Sequence, residues 1–269
     1  MAFKIALNAG HGKNTAGKRC LKKLDKNETR EWILNSRICE KIEIKLKDYK
    51  GYDIIRLDDP TGKTDVALKK RTDAANKFKA DFYLSIHHNA GVKGGTGGGI
   101  ETYIHTKASK ASEEWQDELY NALIKHTGLK GNRADGTRKA NFHECRESNM
   151  PCVLVECGFM DSKTDVPIIL TSKFADKVAD ACVEVLVRKG KLTKKEEEKP
   201  VQLPSSIYFK KYTGKSGSIA DALKSIGAAY SFSYRKKIAT KNGIKLYVGT
   251  ASQNTKMLNL LKEGKLIKP

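Results

Sequence analysis

Two histidines and a glutamate lie where the sequence predicts the ends of strands. His11 follows the apolar run FKIALNAG through a glycine turn, and His87 lies where the strand-like run DFYLSIHHNA becomes polar. Glu156 lies inside the apolar run PCVLVECGF, so its side chain is expected to be partly buried. A buried carboxylate is costly unless it is paired, bound to a metal or used for proton transfer. These three side chains are therefore candidates for one site.

Such a group suits a catalytic zinc ion. Zinc accepts histidine nitrogen and carboxylate oxygen, and a hydrolytic site keeps three protein ligands and an open position for water. Metal binding brings the pKa of that water to about 7 and polarises a carbonyl, while an unligated glutamate passes the proton to the leaving amine. Glu28 or Glu31, at the start of the first predicted helix, could complete the ligand set.

The residues by themselves leave a second interpretation open. No His-Glu-x-x-His or comparable short spacing is present, so each histidine taken alone is better explained as a capping or hydrogen-bonding residue than as a ligand.

Strand-like and helix-like segments alternate from the start of the chain to Gly190. Strands are predicted at 3–10, 52–57, 81–90, 99–105 and 151–159. Helices are predicted at 28–46, 66–79, 109–127 and 172–189. This alternation predicts an α/β fold, with a mainly parallel twisted sheet flanked by helices. In such sheets function gathers at the carboxyl ends of the strands, where the two histidines fall.

The composition excludes several classes of protein. The chain has 269 residues, 39% of them hydrophobic, with 22 Gly and 6 Pro, which excludes collagen-like and wholly disordered chains. No run of about 18 apolar residues occurs, so no transmembrane helix and no stable membrane insertion are expected. The net charge of +20 predicts an anionic partner, such as nucleic acid, an anionic membrane or a polyanionic cell wall.

Charge and composition divide the chain into two predicted domains. Residues 1–190 carry a net charge of +8, whereas residues 191–269 carry 17 Lys and Arg against 5 Asp and Glu, a net of +12. Between them, 191–205 lacks apolar periodicity and contains Pro200 and Pro204, as an exposed linker would. The predicted domains are therefore 1–190 and 206–269.

Four motifs occur together in an order and spacing that resembles one enzyme family. They are Ala-Gly-His-Gly after the first strand, Glu-x-x-x-Asn at 31–35, Ser-Ile-His-His-Asn-Ala at 85–90 and Leu-Val-Glu-Cys-Gly-Phe-Met-Asp at 154–161. The set resembles the zinc-dependent N-acetylmuramoyl-L-alanine amidases of type 3, found in bacterial autolysins and phage endolysins. Any one motif alone is weak, but together they are specific, and the resemblance covers about residues 3–188.

The resemblance implies a role for each matched residue. The implied zinc ligands are His11, Glu31 and His87, and Glu156 matches the catalytic carboxylate that activates the water. Glu31 is preferred to Glu28 because the family's ligand glutamate usually lies four residues before an asparagine, here Asn35. On a helix this spacing places both side chains on one face.

Three further residues are of interest but are not assigned as zinc ligands or as the catalytic group. His88 occupies a place where the family commonly has a small residue. Arg71 aligns with a recurrent family arginine and is interpreted as a structural pairing residue. Glu101 could orient a ligand histidine, since such histidines usually need a hydrogen-bonding partner.

The tail, 206–269, contains Gly-Lys-Ser-Gly-Ser-Ile-Ala-Asp-Ala-Leu-Lys-Ser-Ile-Gly at 214–227, Tyr-Arg-Lys-Lys-Ile-Ala at 234–239 and Gly-Thr-Ala-Ser-Gln-Asn-Thr-Lys at 249–256. These stretches are similar to the carboxyl-terminal cell-wall-binding module of phage endolysins. The tail is predicted to be a small basic α+β domain, with helices at 219–226 and 255–261 and strands near 207–212 and 245–248. Tyrosines beside cations suit glycan stacking and contact with anionic polymers, although at this size they could equally be core. The candidates are Tyr208, Tyr212, Tyr230, Tyr234 and Tyr247.

The resemblance implies a peptidoglycan hydrolase that cuts the amide bond between N-acetylmuramic acid and L-alanine, using Zn²⁺. Its partners would be bacterial peptidoglycan and anionic wall polymers, with no nucleic acid. The first residues, MAFKIALNAGHG, do not form a secretory signal peptide, so an endolysin held in the host cytoplasm until lysis is expected. The alternatives are a zinc-dependent peptidoglycan peptidase and, more remotely, a basic nucleic-acid-binding protein.

Overall fold

The computed structural model describes residues 2–131, 136–195 and 207–269. It divides the chain into two compact units, Met1–Lys195 and Glu196–Pro269. From residue 196 onward the predicted linker lies outside the described residues, whereas Thr193–Lys194 form a short strand of the first unit. Each unit is described by itself.

The first unit alternates strands and helices along the chain. Its strands are β1 (Phe3–Ala9), β2 (Tyr49–Lys50), β3 (Tyr52–Arg56), β4 (Phe82–Asn89), β5 (Glu101–Ile104), β6 (Thr137–Lys139), β7 (Cys152–Phe159) and β8 (Thr193–Lys194). Its helices are α1 (Glu31–Leu46), α2 (Leu68–Phe78), α3 (Lys110–Thr127), α4 (His143–Glu147), α5 (Val166–Ile169) and α6 (Ser172–Lys189).

A six-stranded sheet in the order β3-β1-β4-β7-β5-β6 forms the centre of this unit. β1 pairs in parallel with β3 and β4, and β4 pairs in parallel with β7. β5 runs antiparallel to β7 and parallel to β6, while β2 and β8 form a separate antiparallel pair. The predicted α/β fold with a mainly parallel sheet is confirmed.

Alternating side chains of the central strands enter cores on both faces of the sheet. Ile5 and Leu7 of β1 join a large cluster that includes Ile38 and Ile42 of α1 and side chains of α3 and α6. Ala6, between them, belongs to a smaller cluster with residues of α2 and β7. Full burial of one such Ile or Leu stabilises the fold by about 1.5–3 kcal/mol. Burial on both faces explains why apolar residues occupy successive positions in these strands, such as Ile5, Ala6 and Leu7 of β1.

The first helix begins three residues later than predicted, at Glu31. The Asp25 carboxylate accepts hydrogen bonds from the backbone N–H groups of Asn27 (3.1 Å) and Thr29 (2.7 Å), which closes a turn. Within this turn Glu28 has a φ of +46°, in the left-handed region, so a right-handed helix cannot pass through it. The elements of the first unit that the sequence did not predict have only two to five residues and cannot show periodicity; they are β2, β6, β8, α4 and α5.

The second unit packs three helices around one small core. They are α7 (Ile219–Ser225), α8 (Phe232–Lys241) and α9 (Ala251–Glu263). Leu223, Ile238 and Leu261, one from each helix, are fully buried in this core. α8 was not predicted, although Ser231 caps it by accepting a hydrogen bond from the Tyr234 N–H. α7 and α9 were predicted.

The strands predicted in this unit are not formed in its described residues, 207–269, so the α+β prediction is wrong there. Only a single antiparallel bridge, between Tyr208 and Ile267, is present. Near 245–248 the side chain of Gln253 forms hydrogen bonds with the backbone N–H and C=O groups that would otherwise pair with a neighbouring strand. Its Oε1 accepts from the N–H groups of residues 248–250 at 3.0–3.2 Å, and its Nε2 donates to the carbonyls of Lys245 and Leu246.

The predicted tyrosines divide between core and surface. Tyr212 and Tyr247 are buried in the core of the second unit, and Tyr234 packs against it half-buried. Tyr208 and Tyr230 are exposed. In the described part of the chain, no helix has both the length and the apolar character needed to cross a bilayer.

We expect Gln253→Ala to destabilise the second unit by about 1–2 kcal/mol, because it removes a helix cap and leaves several backbone groups without partners. Hydrogen exchange of the amides at 248–250 should accelerate in the full chain. Gln253→Glu keeps the acceptor but loses both donors, and should show a smaller acceleration. Unchanged exchange in Gln253→Ala would contradict this account.

Candidate metal and catalytic site

The parallel pairing of β1, β4 and β7 brings three predicted residues to one edge of the sheet. Ala9 of β1 is in register with Ile86 of β4, so His11 and His87 follow at neighbouring strand ends. His87 is in turn in register with Glu156 of β7. The two imidazole rings meet edge to face, with their centroids 5.1 Å apart.

Glu31, the first residue of α1, extends a fully buried carboxylate between the two histidines. Its Oε1 lies 3.1 Å from Nδ1 of His87 and accepts a hydrogen bond from the backbone N–H of His88. Its Oε2 lies 3.4 Å from Nε2 of His11. Burial acts to raise the pKa of Glu31, but the hydrogen bond and charge of His87, helped by His11 and Lys18, lower that pKa to about 2. The carboxylate therefore stays ionised.

One donor atom from each of His11, Glu31 and His87 lies within 4.8 Å of the other two, close enough to share a cation. Oε2 of Glu31 is buried and has no hydrogen-bond partner among the described residues. Burial lowers the pKa of His11 to about 4, which favours the neutral imidazole that ligates metals. Burial acts to lower the pKa of His87 as well, but Glu144 and Glu31 raise it to about 10, so a metal would displace a proton from this ring. Two nitrogens and one carboxylate oxygen form a donor set that fits zinc.

Gly10 allows this close assembly. A Cβ atom at Gly10 would overlap the imidazole ring of His87, so any larger residue would displace that ring. The next residue, His11, adopts a φ of +66°, an unusual conformation for a side chain of its size. The Ala-Gly-His turn thus places both histidines at once.

Glu156 lies beside this cluster with its side chain partly buried. It is in register with His87 on one side and with Glu101 on the other. Burial raises the pKa of Glu156 to about 8, with a further rise from Glu31 and Glu101 and an opposing effect of His87 and Lys18. Its Oε2 has no hydrogen-bond partner in the part of the chain that is described. A carboxyl group that binds a proton near neutral pH is suited to acid–base catalysis.

The alternative ligand Glu28 lies away from the cluster. Its carboxylate pairs with Arg19 at 3.2 Å and with Lys22 at 4.0 Å. Glu101 contacts Asn89, Tyr103 and Arg138 through hydrogen bonds of 2.8–3.0 Å. Its hydrogen bonds thus connect β5 to the end of β4.

Arg71 is fully buried beside the site and connects its elements through hydrogen bonds. Its guanidinium donates to Oδ1 of Asn8 and Oδ1 of Asp65, both at 2.8 Å, and to the carbonyl of Val66. It thereby ties the end of β1 to the loop before α2. A cavity of about 380 Å³ opens beside it, lined by His11, Asp65, Val66, Ala67, Leu68, Arg71 and His87.

Glu144 is a buried acidic residue that sequence reasoning missed. It lies on the short helix α4, and its Oε2 is 3.7 Å from Nε2 of His87. One signal could have revealed it: Tyr83, Ser85 and His87 alternate along β4 and so share one face of a buried strand. Buried polar groups need partners, which implies an acceptor opposite that face.

Comparisons with known proteins agree with this geometry. Residues 5–188 match the family model described as N-acetylmuramoyl-L-alanine amidase. The chain belongs to this amidase family. The match ends before the second unit, which lies outside it.

Relatives of this amidase chain include bacterial and phage proteins. It is 33% identical to the N-acetylmuramoyl-L-alanine amidase CwlM of Bacillus licheniformis, over 71% of this chain and 70% of the relative. It is 29% identical to the endolysin of Bacillus phage SPP1, over 74% of this chain and 73% of that protein. A crystal structure of an N-acetylmuramoyl-L-alanine amidase from Clostridium difficile 630 matches with a TM-score of 0.62 and 30% identity, covering 70% of this chain and 96% of the other.

His88 makes a pH-dependent contribution to stability that can be measured. Burial lowers its pKa from 6.5 to about 3, and its Nδ1 lies 2.7 Å from Oδ1 of Asn35. As the pH falls through 6.5, His88 binds a proton in the unfolded chain but stays neutral in the folded chain. The free energy of unfolding therefore falls with pH. Between pH 7 and pH 5.5 we expect a loss of about 1 kcal/mol from this residue in the metal-free protein.

Denaturant unfolding with chelator present, at both pH values, measures this loss. His88→Ala should reduce the pH dependence by about this amount and leave the part due to His11, whose pKa burial also lowers. The control His105→Ala should retain the slope of the wild type. An equal slope in His88→Ala and wild type would show that His88 is not the group responsible.

Proposed function

We propose that this chain is a zinc-dependent peptidoglycan hydrolase that cleaves the amide bond between the lactyl group of N-acetylmuramic acid and L-alanine. The observation that carries the proposal is the cluster of His11, Glu31 and His87 with Glu156 beside it, in a chain of the N-acetylmuramoyl-L-alanine amidase family. Members of this family generally depend on zinc. The buried Oε2 of Glu31 accepts no hydrogen bond, with Nζ of Lys18 at 3.7 Å and Nε2 of His11 at 3.4 Å, and this supports a cation at the same place.

The residues of the site divide the work of the reaction. His11, Glu31 and His87 would hold the ion, which supplies Lewis acidity and lowers the pKa of water to about 7. Glu156 takes the proton from the attacking water and delivers it to the nitrogen of L-alanine as the amide bond breaks. Its raised pKa suits both steps, since the same group must bind and release the proton.

We further propose that the second unit anchors the enzyme to anionic wall polymers. Support comes from the charge of +12 over 191–269 and from the exposed aromatic side chains of Tyr208, Tyr230 and Phe232. Cations beside aromatic rings suit contact with glycans and acidic polymers. Likeness to the endolysin of phage SPP1 supports a role as an endolysin, held in the host cytoplasm until lysis and then acting on the wall.

Wall-lysis assays with the full chain test the catalytic assignment. Chelator should abolish lysis, and zinc should restore it. Glu156→Gln should keep zinc but lose about 10²- to 10⁴-fold in rate, because it removes the proton acceptor alone. His11→Ala and His87→Ala should lose both zinc and lysis, whereas His105→Ala, outside the cluster, should resemble the wild type.

Mass spectrometry of the digested wall identifies the bond that is cut. New free amino groups on L-alanine are expected. Cleavage within the stem peptide would instead support a zinc-dependent peptidase. A zinc-free wild type that still lyses walls would contradict the proposed mechanism.

Truncation after Lys195 tests the role of the second unit. The shortened chain should still hydrolyse soluble muropeptides at a rate near that of the full chain, since the candidate site lies within Met1–Lys195. It should lose most of its binding to purified walls in a sedimentation assay. Binding by the full chain should weaken as salt is added, because exposed charges are screened. Equal sedimentation of the two chains would remove the proposed anchoring role.

A further inference from the structure

Glu144 is a buried carboxylate for which the mechanism above has no use. Only 3% of the residue is exposed. Its Oε1 accepts hydrogen bonds from Nδ2 of Asn8 at 2.9 Å and from the hydroxyl of Tyr83 at 2.7 Å, and its Oε2 accepts from the hydroxyl of Ser85 at 3.2 Å. Three donors converge on the carboxyl group, which is the pattern of an ionised acceptor.

The surroundings hold this carboxylate in one position. Asn8 is itself fixed, because its Oδ1 accepts a hydrogen bond from Arg71 at 2.8 Å and its Nδ2 also donates to Ser85 at 2.8 Å. Arg71 is buried and bound to Asp65. Burying an acidic group is costly, and the cost is greater in a polar network whose hydrogen bonds are incomplete. A carboxylate held in one position beside the candidate metal site is therefore expected to have a function.

The carboxylate of Glu144 lies beside Nε2 of His87, one of the proposed metal ligands. Nδ1 of His87 lies on the side of Glu31, 3.1 Å from its Oε1. Nε2 of the same ring lies 3.7 Å from Oε2 of Glu144, and it has no hydrogen-bond partner among the described residues. Histidines that bind metals usually donate their second N–H to a carboxylate or carbonyl, which fixes the tautomer and the ring orientation.

We infer that Glu144 is a positioning residue, which accepts the Nε2–H of His87 and so directs Nδ1 toward Glu31, His11 and the metal. The inference rests on the proposed zinc site. It requires the separation of 3.7 Å to shorten to hydrogen-bond length when the site is loaded. Glu144 acts through His87 and does not touch the reacting amide.

Zinc affinity and histidine ¹⁵N spectra of the full chain test this inference. Glu144→Gln keeps the shape of the side chain but loses its charge, and should bind zinc about 10- to 100-fold more weakly in competition with a chromogenic chelator. In the zinc-loaded wild type, His87 should show a protonated Nε2 and a metal-shifted Nδ1. The zinc-loaded variant should show a mixture of His87 rings bound through Nδ1 and rings bound through Nε2.

Glu147→Gln is the matched control, because Glu147 lies on the same helix, is exposed and pairs with Arg146. It should leave zinc affinity and the spectrum of His87 unchanged. If Glu144→Gln does not fold, Tyr83→Phe keeps the carboxylate but removes one of the three donors that hold it in position beside His87. This variant should still weaken zinc binding relative to Glu147→Gln.

The outcomes separate the inference from the proposed function. Glu144→Gln, or Tyr83→Phe in its place, with the zinc affinity of Glu147→Gln would overturn the inference alone. Zinc bound to Nε2 in the wild type would also overturn it. A wild type that binds no zinc would overturn the proposed function and the inference together.

Discussion

The site depends on one buried negative charge. The carboxylate of Glu31 lies at the first turn of α1, out of contact with solvent, where only positive or hydrogen-donating partners can compensate for its desolvation. The amino end of the helix favours a negative charge at this position, and the backbone N–H of His88 supplies one hydrogen bond. The remaining compensation comes from His87, His11 and Lys18, whose Nζ lies 3.7 Å from Oε2. Oε2 accepts no hydrogen bond, and a cation there would complete the compensation.

The rest of the first unit is arranged so that these groups can meet. Parallel pairing of β1, β4 and β7 brings their ends to one edge of the sheet, and the apolar cores on both faces hold the strands in that register. Gly10 permits contact between its backbone and the His87 ring. On the other side of the ring, Arg71, Asn8 and Glu144 form a buried polar network, in which Oε2 of Glu144 lies 3.7 Å from Nε2 of His87.

Most of the net positive charge lies outside the segment that contains the candidate site. The segment 1–190 carries only +8 of the +20, and its buried acids and histidines balance one another locally. The segment 191–269 carries +12, and in its described part, 207–269, three helices surround one core. Under the proposed function, this concentration of charge would attach the enzyme to an anionic wall polymer.

Much of the fold could be predicted because its signals are local. The long strands and helices of the first unit follow from the apolar runs and from spacing along single segments, and α6 lies at the predicted residues, 172–189. The Ala-Gly-His and Ser-Ile-His motifs predicted His11 and His87 as site residues, because a histidine at the end of a predicted strand can be recognised from the local sequence alone. The family and the parallel sheet followed from the same short stretches.

Only the tertiary structure decided which polar groups meet. Whether Glu28 or Glu31 enters the site depends on a left-handed turn closed by Asp25, and Glu144 reaches His87 from a helix that is distant in sequence. In the second unit one side chain, Gln253, replaced a predicted strand by binding the backbone itself. These outcomes depend on contacts between distant or irregular segments, and no periodicity along the chain records such contacts.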